Sequence, residues 1–445
     1  MPENYHPVAL LPVVSKVMES IIDDTIRQHL HQREILCKHQ HGFIRGRSCT
    51  TNLLYTLDKL TAEVDENRGV DVVLLDLSKA FDSVPHDLLI IKLSNLGIRG
   101  SLLSWIEDYL DCRYFRVRVN GMLSEPRKVR SGVPQGSILG PLLFVLFIND
   151  LPSHLNTPFA LFADDVKIWG PSDDPRSLQG NLDRIFQWAC ENGMSLNPSK
   201  SRVISVKSRT NFTYTINGET ILTSNQEKDL GTVICSNLSA SPNAKMLALR
   251  AGRSLNMLLR SLGSFEKSSF SKLYASYVRA HLELNIQANP PVLQKDIRLL
   301  ESVQRRATKR VKGLTTKSYT DRFRELNMYS LAFRRLTGDM ILTYQILNNP
   351  SHPNRKLLKL IESTSIRGHK LTLKQPLVRT KIRSAAFSAR VPFTWNRLPA
   401  DVVNAPTLET FKKRFDIYAK SQGKVFTTRS YYEGKEQVGD PWAAP

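Results

Sequence analysis

Apolar residues recur at intervals of three and four along residues 12–32 (Pro-Val-Val-Ser-Lys-Val-Met-Glu-Ser-Ile-Ile onward), which predicts an amphipathic helix starting near Pro12 or Ser15. The same period predicts helices over about 50–67, 86–96, 101–111 and 175–192, then a run of them at about 241–262, 266–280, 293–311, 330–348 and 406–420. Strand signals are shorter and fall mainly in the first half: 70–77, Tyr114 to Val119 with Arg116 and Arg118 on one face, 202–207, 213–217 and 227–234. Residues 349–404 hold prolines and little periodicity, and the polar tail after 420 is expected to be disordered. The pattern divides the chain into a mixed helix-and-strand part, 1–240, and a helical part from 241.

Two apolar runs end on carboxylates. Phe159-Ala-Leu-Phe-Ala-Asp-Asp-Val-Lys-Ile168 has strand-formers on both sides of Asp164-Asp165, which predicts a tight hairpin with two acids at its tip. Asp-Asp is also ordinary turn chemistry, so the pair alone decides nothing. Val70-Asp-Val-Val-Leu-Leu-Asp76 changes that reading, because it too delivers a carboxylate to a strand end. Carboxylates brought together repel by about 4 kcal/mol per pair at 4 Å and an effective dielectric of 20. A cation relieves this, and oxygen ligands select hard ions such as Mg²⁺. The chemistry so implied is two-metal phosphoryl or nucleotidyl transfer.

Length and charge sharpen the picture. At 445 residues the chain exceeds one ordinary domain, and 41% hydrophobic residues suffice for real cores. No uncharged apolar run approaches the ~20 residues of a membrane helix, and Met1 to His6 shows no signal segment. The cysteines at 37, 49, 112, 190 and 235 are scattered, which reads as free thiols in a reducing compartment. Residues 1–240 carry 25 Lys and Arg against 27 Asp and Glu, net −2, whereas residues 241–445 carry 37 against 14, net +23. A near-neutral half followed by a cationic one points to a polyanion partner more economically than to general solubility. Gln304-Arg-Arg-Ala-Thr-Lys-Arg-Val-Lys312 concentrates that charge on more than one helix face, which suits backbone tracking or a nuclear import signal.

Two loops stand out. Gln40-His-Gly-Phe-Ile-Arg-Gly-Arg-Ser48 pairs glycines with Arg45 and Arg47, a composition that suits a phosphate as well as an ordinary turn. Ser131-Gly-Val-Pro-Gln-Gly-Ser-Ile-Leu-Gly-Pro141 precedes an apolar helix and is costly to order, so it is expected to lie against something.

Together, Leu75-Asp-Leu-Ser-Lys-Ala-Phe-Asp82, Ser131-Gly-Val-Pro-Gln-Gly-Ser137 and Phe162-Ala-Asp-Asp165 resemble, in order and wording, the reverse transcriptases of non-long-terminal-repeat retrotransposons of the Jockey and chicken-repeat type. The likeness runs from Tyr5-His-Pro-Val-Ala-Leu-Leu11 past Phe393-Thr-Trp-Asn-Arg-Leu-Pro399. It implies an α+β right-hand polymerase, with fingers and palm over 1–240 built on an antiparallel palm sheet. A helical basic thumb would follow over 241–350, and a basic C-terminal extension over 351–445.

The resemblance also implies roles. Asp76, Asp164 and Asp165 would hold two Mg²⁺ or Mn²⁺ ions, with the Leu77 carbonyl completing one shell. Phe81 would exclude a ribose 2′-hydroxyl, a core aromatic being the plainer alternative. Gln135 and Gly136 would lie along template and nucleotide, Arg45 and Arg47 would grip the triphosphate, and Lys200 would protonate pyrophosphate unless it is a plain surface lysine. Arg305, Arg306, Lys309, Arg310 and Lys312 would hold nucleic acid. RNA template, DNA primer and deoxynucleoside triphosphates would be the partners, in the nucleus or cytoplasm. His6 and Ile44 stand where the family favours arginine. The family's upstream endonuclease is expected to be absent and the product to be truncated. The alternative is an inactive RNA- or DNA-binding remnant.

Overall fold

The computed structural model describes residues 7–208, 211–361 and 369–421. His6 and the tail expected to be disordered lie outside the described residues. The chain forms two compact units: residues up to 52 with 70–224, and 53–69 with everything from 225.

The first unit is built on a five-stranded sheet in the order Leu222–Thr223, Arg202–Val206, Val70–Asp76, Asp165–Pro171, Phe159–Phe162. Val70–Asp76 is central and nearly all buried, which is why it reads as a continuous apolar run. All neighbours pair antiparallel except Leu222–Thr223, which runs parallel to Arg202–Val206. The expected antiparallel palm sheet is thus mixed at one edge. The Pro175–Glu191 helix packs on Asp165–Pro171, with Leu178 against Gly170, and buries Leu182, Ile185 and Trp188 in the core. Asp174 caps it by accepting from the Ser177 amide (3.3 Å), with proline in its first turn. Eight of the nine residues of Leu139–Phe147 are buried, so this helix fills the core and shows no polar face. Its amino end is held by Glu19, itself 1% exposed, which accepts from the amides of Ile138 (2.7 Å) and Leu139 (3.2 Å) and from Tyr109 Oη (3.0 Å).

The second unit is mainly helical, with a small hairpin of Gln226–Asp229 and Thr232–Cys235. Ser241–Leu262 packs on Gln294–Lys309 over a core that includes Leu247, Leu255, Phe270, Leu300 and Phe323. Residues 349–404, featureless by periodicity, form short helices at Lys381–Ala385, Phe387–Trp395 and Ala400–Val403. The Phe387–Trp395 helix docks on Leu331–Asn348, where Arg390 makes a buried two-pronged pair with Asp339 (2.9 and 2.8 Å). Asp58 accepts from Arg383 Nη1 (2.9 Å), and Asp65 accepts from the amides of Arg379 and Thr380. The C-terminal segment is therefore woven into this unit.

Candidate active site

Two-residue hairpin loops favour turns with positive φ, normally supplied by glycine. Here the loop between Phe159–Phe162 and Asp165–Pro171 is Ala163-Asp164, and Ala163 takes φ 54°. That conformation is held from outside. Gln40, 1% exposed, accepts at Oε1 from the amides of Ala163 (3.0 Å) and Gly42 (2.8 Å) and donates Nε2 to the Ala163 carbonyl (3.5 Å). Residues 39–41 then run beside the hairpin like an added strand: Leu161 N donates to His39 O (2.9 Å) and His41 N to Leu161 O (2.8 Å). Gly42 lies so close that a Cβ there would sit 2.3 Å from the Ala163 nitrogen.

Strand pairing brings the carboxylates together. Asp76 is the direct cross-strand partner of Asp165, and Asp164 occupies the adjoining turn. Burial, and then the Asp76 charge, push the Asp164 carboxyl above its ordinary range. Asp76 is half-buried and Asp165 exposed. Among the described residues no three His, Cys, Asp or Glu side chains converge as a ready-made metal cluster. The donor set nevertheless fits Mg²⁺, which takes one or two carboxylates and completes its shell with water and substrate phosphate. A carboxyl raised by burial and by a neighbouring like charge is the condition a cation relieves.

Residues 195–201 buttress Asp76 from the other side. Asn197 N donates to Asp76 O (2.9 Å), Ser78 N to Ser195 O (2.8 Å), and Leu77 forms a bridge with Leu196. This places Lys200 Nζ 3.7 Å from Asp76 Oδ2, the two being 68% and 37% exposed.

The loop over 131–137 docks on the segment after Asp76. Ser131 Oγ donates to Asp82 O (3.0 Å), Gly132 N to Val84 O (2.8 Å) and Val133 N to Phe81 O (2.7 Å). Gly132 has φ 93° and a Cβ there would lie 2.8 Å from Asp82 Cα, so glycine is required twice over. Gln135 Nε2 donates to Asp82 Oδ1 (3.0 Å), and a Cβ on Gly136 would lie 2.7 Å from the Ala9 oxygen. Phe81 is half-buried, stacked on Phe144 with ring centroids 4.5 Å apart and edge-on to Phe43 at 6.0 Å. It is thus both a packed aromatic and one with surface to spare.

Arg45 pairs with Asp24 and is 72% exposed. Arg47 spends Nη1 on the carbonyls of Cys37 (2.7 Å), Lys38 (3.2 Å) and Gln40, and burial lowers its pKa. Ile44 beside them is half-buried. In the second unit, Arg306, Lys309, Arg310 and Lys312 line one hollow at the end of the Gln294–Lys309 helix. Arg305 lies over the Tyr319 ring at 4.6 Å, and Lys312 pairs with Glu266.

Sequence reasoning missed Gln40, Glu19 and Asp82, and the buried Lys167, which donates to Asn52 Oδ1 (3.1 Å). Gln40 stands 123 positions from Ala163 and Glu19 119 from Ile138, so nothing local announces either partner.

A family model described as "Reverse transcriptase (RNA-dependent DNA polymerase)" matches residues 2–231. Among curated proteins, "Probable RNA-directed DNA polymerase from transposon BS" of Drosophila melanogaster is 32% identical over 58% of this chain and 30% of its own length. "Probable RNA-directed DNA polymerase from transposon X-element" of the same species is 27% identical over 70% of this chain and 36% of its own. The chain spans about a third of the length of these relatives. Among solved structures, a telomerase from Candida albicans aligns at TM-score 0.41 and 11% identity, over 68% of this chain and 56% of that one.

Proposed function

The chain belongs to the reverse transcriptase (RNA-dependent DNA polymerase) family, and from that premise we propose that it adds deoxynucleotides to a DNA 3′ end on an RNA template. The fold is that of a right-hand polymerase. The observation carrying the proposal is the strand register that sets Asp76 against Asp165, with Asp164 in the adjoining turn.

Reverse transcriptase domains use divalent metal ions, and bound here two Mg²⁺ or Mn²⁺ ions would favour the ionised primer hydroxyl and neutralise the leaving pyrophosphate. Asp76 and Asp164 would be the principal ligands, with Asp165 peripheral and the Leu77 carbonyl in support. Lys200, beside Asp76, would give its proton to pyrophosphate. Phe81 would exclude a 2′-hydroxyl with its unpacked surface, while Gln135, fixed by Asp82, and Gly136 would position template and nucleotide. Arg45 would meet the triphosphate, and so would the nitrogens of Arg47 not engaged by carbonyls. Arg305, Arg306, Lys309, Arg310 and Lys312 would hold the backbone of RNA and DNA. In this reading fingers and palm span 1–240, the thumb 241–350 and the extension 351–445. The protein would act in the nucleus, with Gln304 to Lys312 as its import signal.

The inactive-remnant alternative is not favoured, since setting Asp76 against Asp165 with Asp164 adjoining adds repulsion that gains nothing without a metal to bind. The test is extension of an oligo-dT primer on poly-rA, in Mg²⁺ and then Mn²⁺. Asp164→Asn should abolish extension and leave RNA binding near the wild-type level. Extension retained by that variant would overturn the assignment.

A further inference from the structure

Residues 113–130 form a ribbon that pairs with itself and joins no other sheet. Tyr114 lies opposite Lys128, Phe115 opposite Arg127, Arg118 opposite Leu123 and Val119 opposite Met122. Asn120 and Gly121 make the tip, both with positive φ (49° and 86°), the turn that matches a twisted hairpin. Ser124 N donates to Val117 O (2.9 Å), so Arg116 faces two residues, Glu125 and Pro126. That is a bulge, placed where proline has no amide to contribute.

Every residue from 114 to 128 is exposed, Tyr114 by 67% and Phe115 by 46%. Residues 113–130 hold six Arg and Lys against one carboxylate, Glu125. Lys128 pairs with Asp111 (2.7 Å) and Arg113 lies over the Tyr109 ring. Among the described residues Arg116, Arg118, Arg127 and Arg130 have no carboxylate partner. Apolar side chains left in water contribute nothing to a core, so stability does not account for this composition. Flat rings interleaved with unpaired guanidinium groups suit one occupant: bases stack on the rings while phosphates pair with arginine.

We propose that this ribbon is a second nucleic-acid site, separate from the carboxylates, that binds unpaired single strands by stacking on Tyr114, on the face of Arg116 and Arg118, and on Phe115, on the opposite face beside Arg127. It goes beyond the polymerase reading, and its test needs neither nucleotide nor metal. A fluorescein-labelled oligo(U) of about 16 nucleotides is titrated with the full chain in EDTA at several salt concentrations. Arg116→Ala with Arg118→Ala should flatten the log-log salt slope by about 1.4, at roughly 0.7 per lost phosphate contact, and lysine at both positions should restore it. Tyr114→Ala with Phe115→Ala should weaken binding about five-fold or more at every salt without changing the slope. Oligo(dT) should behave alike, because stacking needs no 2′-hydroxyl. An iodouridine oligo should crosslink within residues 113–130. Wild-type affinity and slope in both double variants, or no crosslink in that segment, would overturn the proposal. A change in sedimentation without a change in oligo binding would do so too, and would assign the ribbon to a protein partner. Because Asp164→Asn should bind the oligo normally, failure here is distinguishable from failure of the polymerase assignment.

Discussion

Ala163 sits where an L-residue is strained by roughly 1–2 kcal/mol, and three hydrogen-bond contacts from Gln40 and the close approach of Gly42 keep it there. The turn's geometry is thus determined by a side chain from another part of the unit. Gln40→Ala would leave two buried amides unsatisfied and should cost about 1–3 kcal/mol, read as a lower urea midpoint. Primer extension should fall with it, because Asp164 belongs to the same turn. A second residue reports on pH. His369 is 6% exposed, burial lowers its pKa, and Nε2 meets the Trp395 carbonyl at 3.2 Å while Nδ1 is buried without a partner. A base whose folded-state pKa is depressed contributes stability above its ordinary value of 6.5, and that stability is lost as pH falls through the folded value. Urea midpoints should therefore decline below about pH 6.5, and His369→Leu should flatten that decline.

Among the elements, those whose periodicity is long and regular were readable from the chain. The expected helices at 12–32, 175–192 and 241–262 are observed as Val13–Gln32, Pro175–Glu191 and Ser241–Leu262. Both carboxylate strands and the hairpin were readable too, because each carries its own apolar run. Tyr319–Leu326 was not, being eight residues long, too short for a period to show against its Ser318 cap. Nor was the break in the 114–119 strand, which is set by Glu125 and Pro126 across the ribbon. The short helices after 380 escaped for another reason: they are held by partners far back in the chain. Arg383 bonds Asp58 Oδ1 and O (2.9 Å each), Thr61 Oγ1 (3.1 Å) and Ser388 Oγ (3.1 Å), with Arg383 and Asp58 side chains 12% and 11% exposed. Arg383→Ala would strand a mostly buried carboxylate and should destabilise by about 3–5 kcal/mol, measured as early melting of the second unit. An unchanged melting curve would mean the cluster contributes nothing.

At the scale of the whole molecule, the proposed function divides the work between a near-neutral first half that would hold metal and a strongly cationic second half that would hold polyanion. If Asp76 and Asp164 bind Mg²⁺, the ion stabilises the folded chain by mass action, about 2.7 kcal/mol at a hundred times its dissociation constant. Calorimetry should show the wild-type transition rising with Mg²⁺ and falling back in EDTA, and Asp164→Asn should lose most of that rise. Equal shifts in both proteins would place the ion elsewhere. The order of strands in the sheet has a further consequence, for synthesis. The central strand ends at residue 76, yet the two strands that flank it end at 171 and 206. A ribosome adding about 5–20 residues per second needs roughly 7–26 s to travel from the first of these points to the last. For the first part of that interval, until residue 171, the nascent chain displays an apolar strand with both edges bare, and one edge stays bare until residue 206 is made, so shielding during synthesis has to last longest on that side.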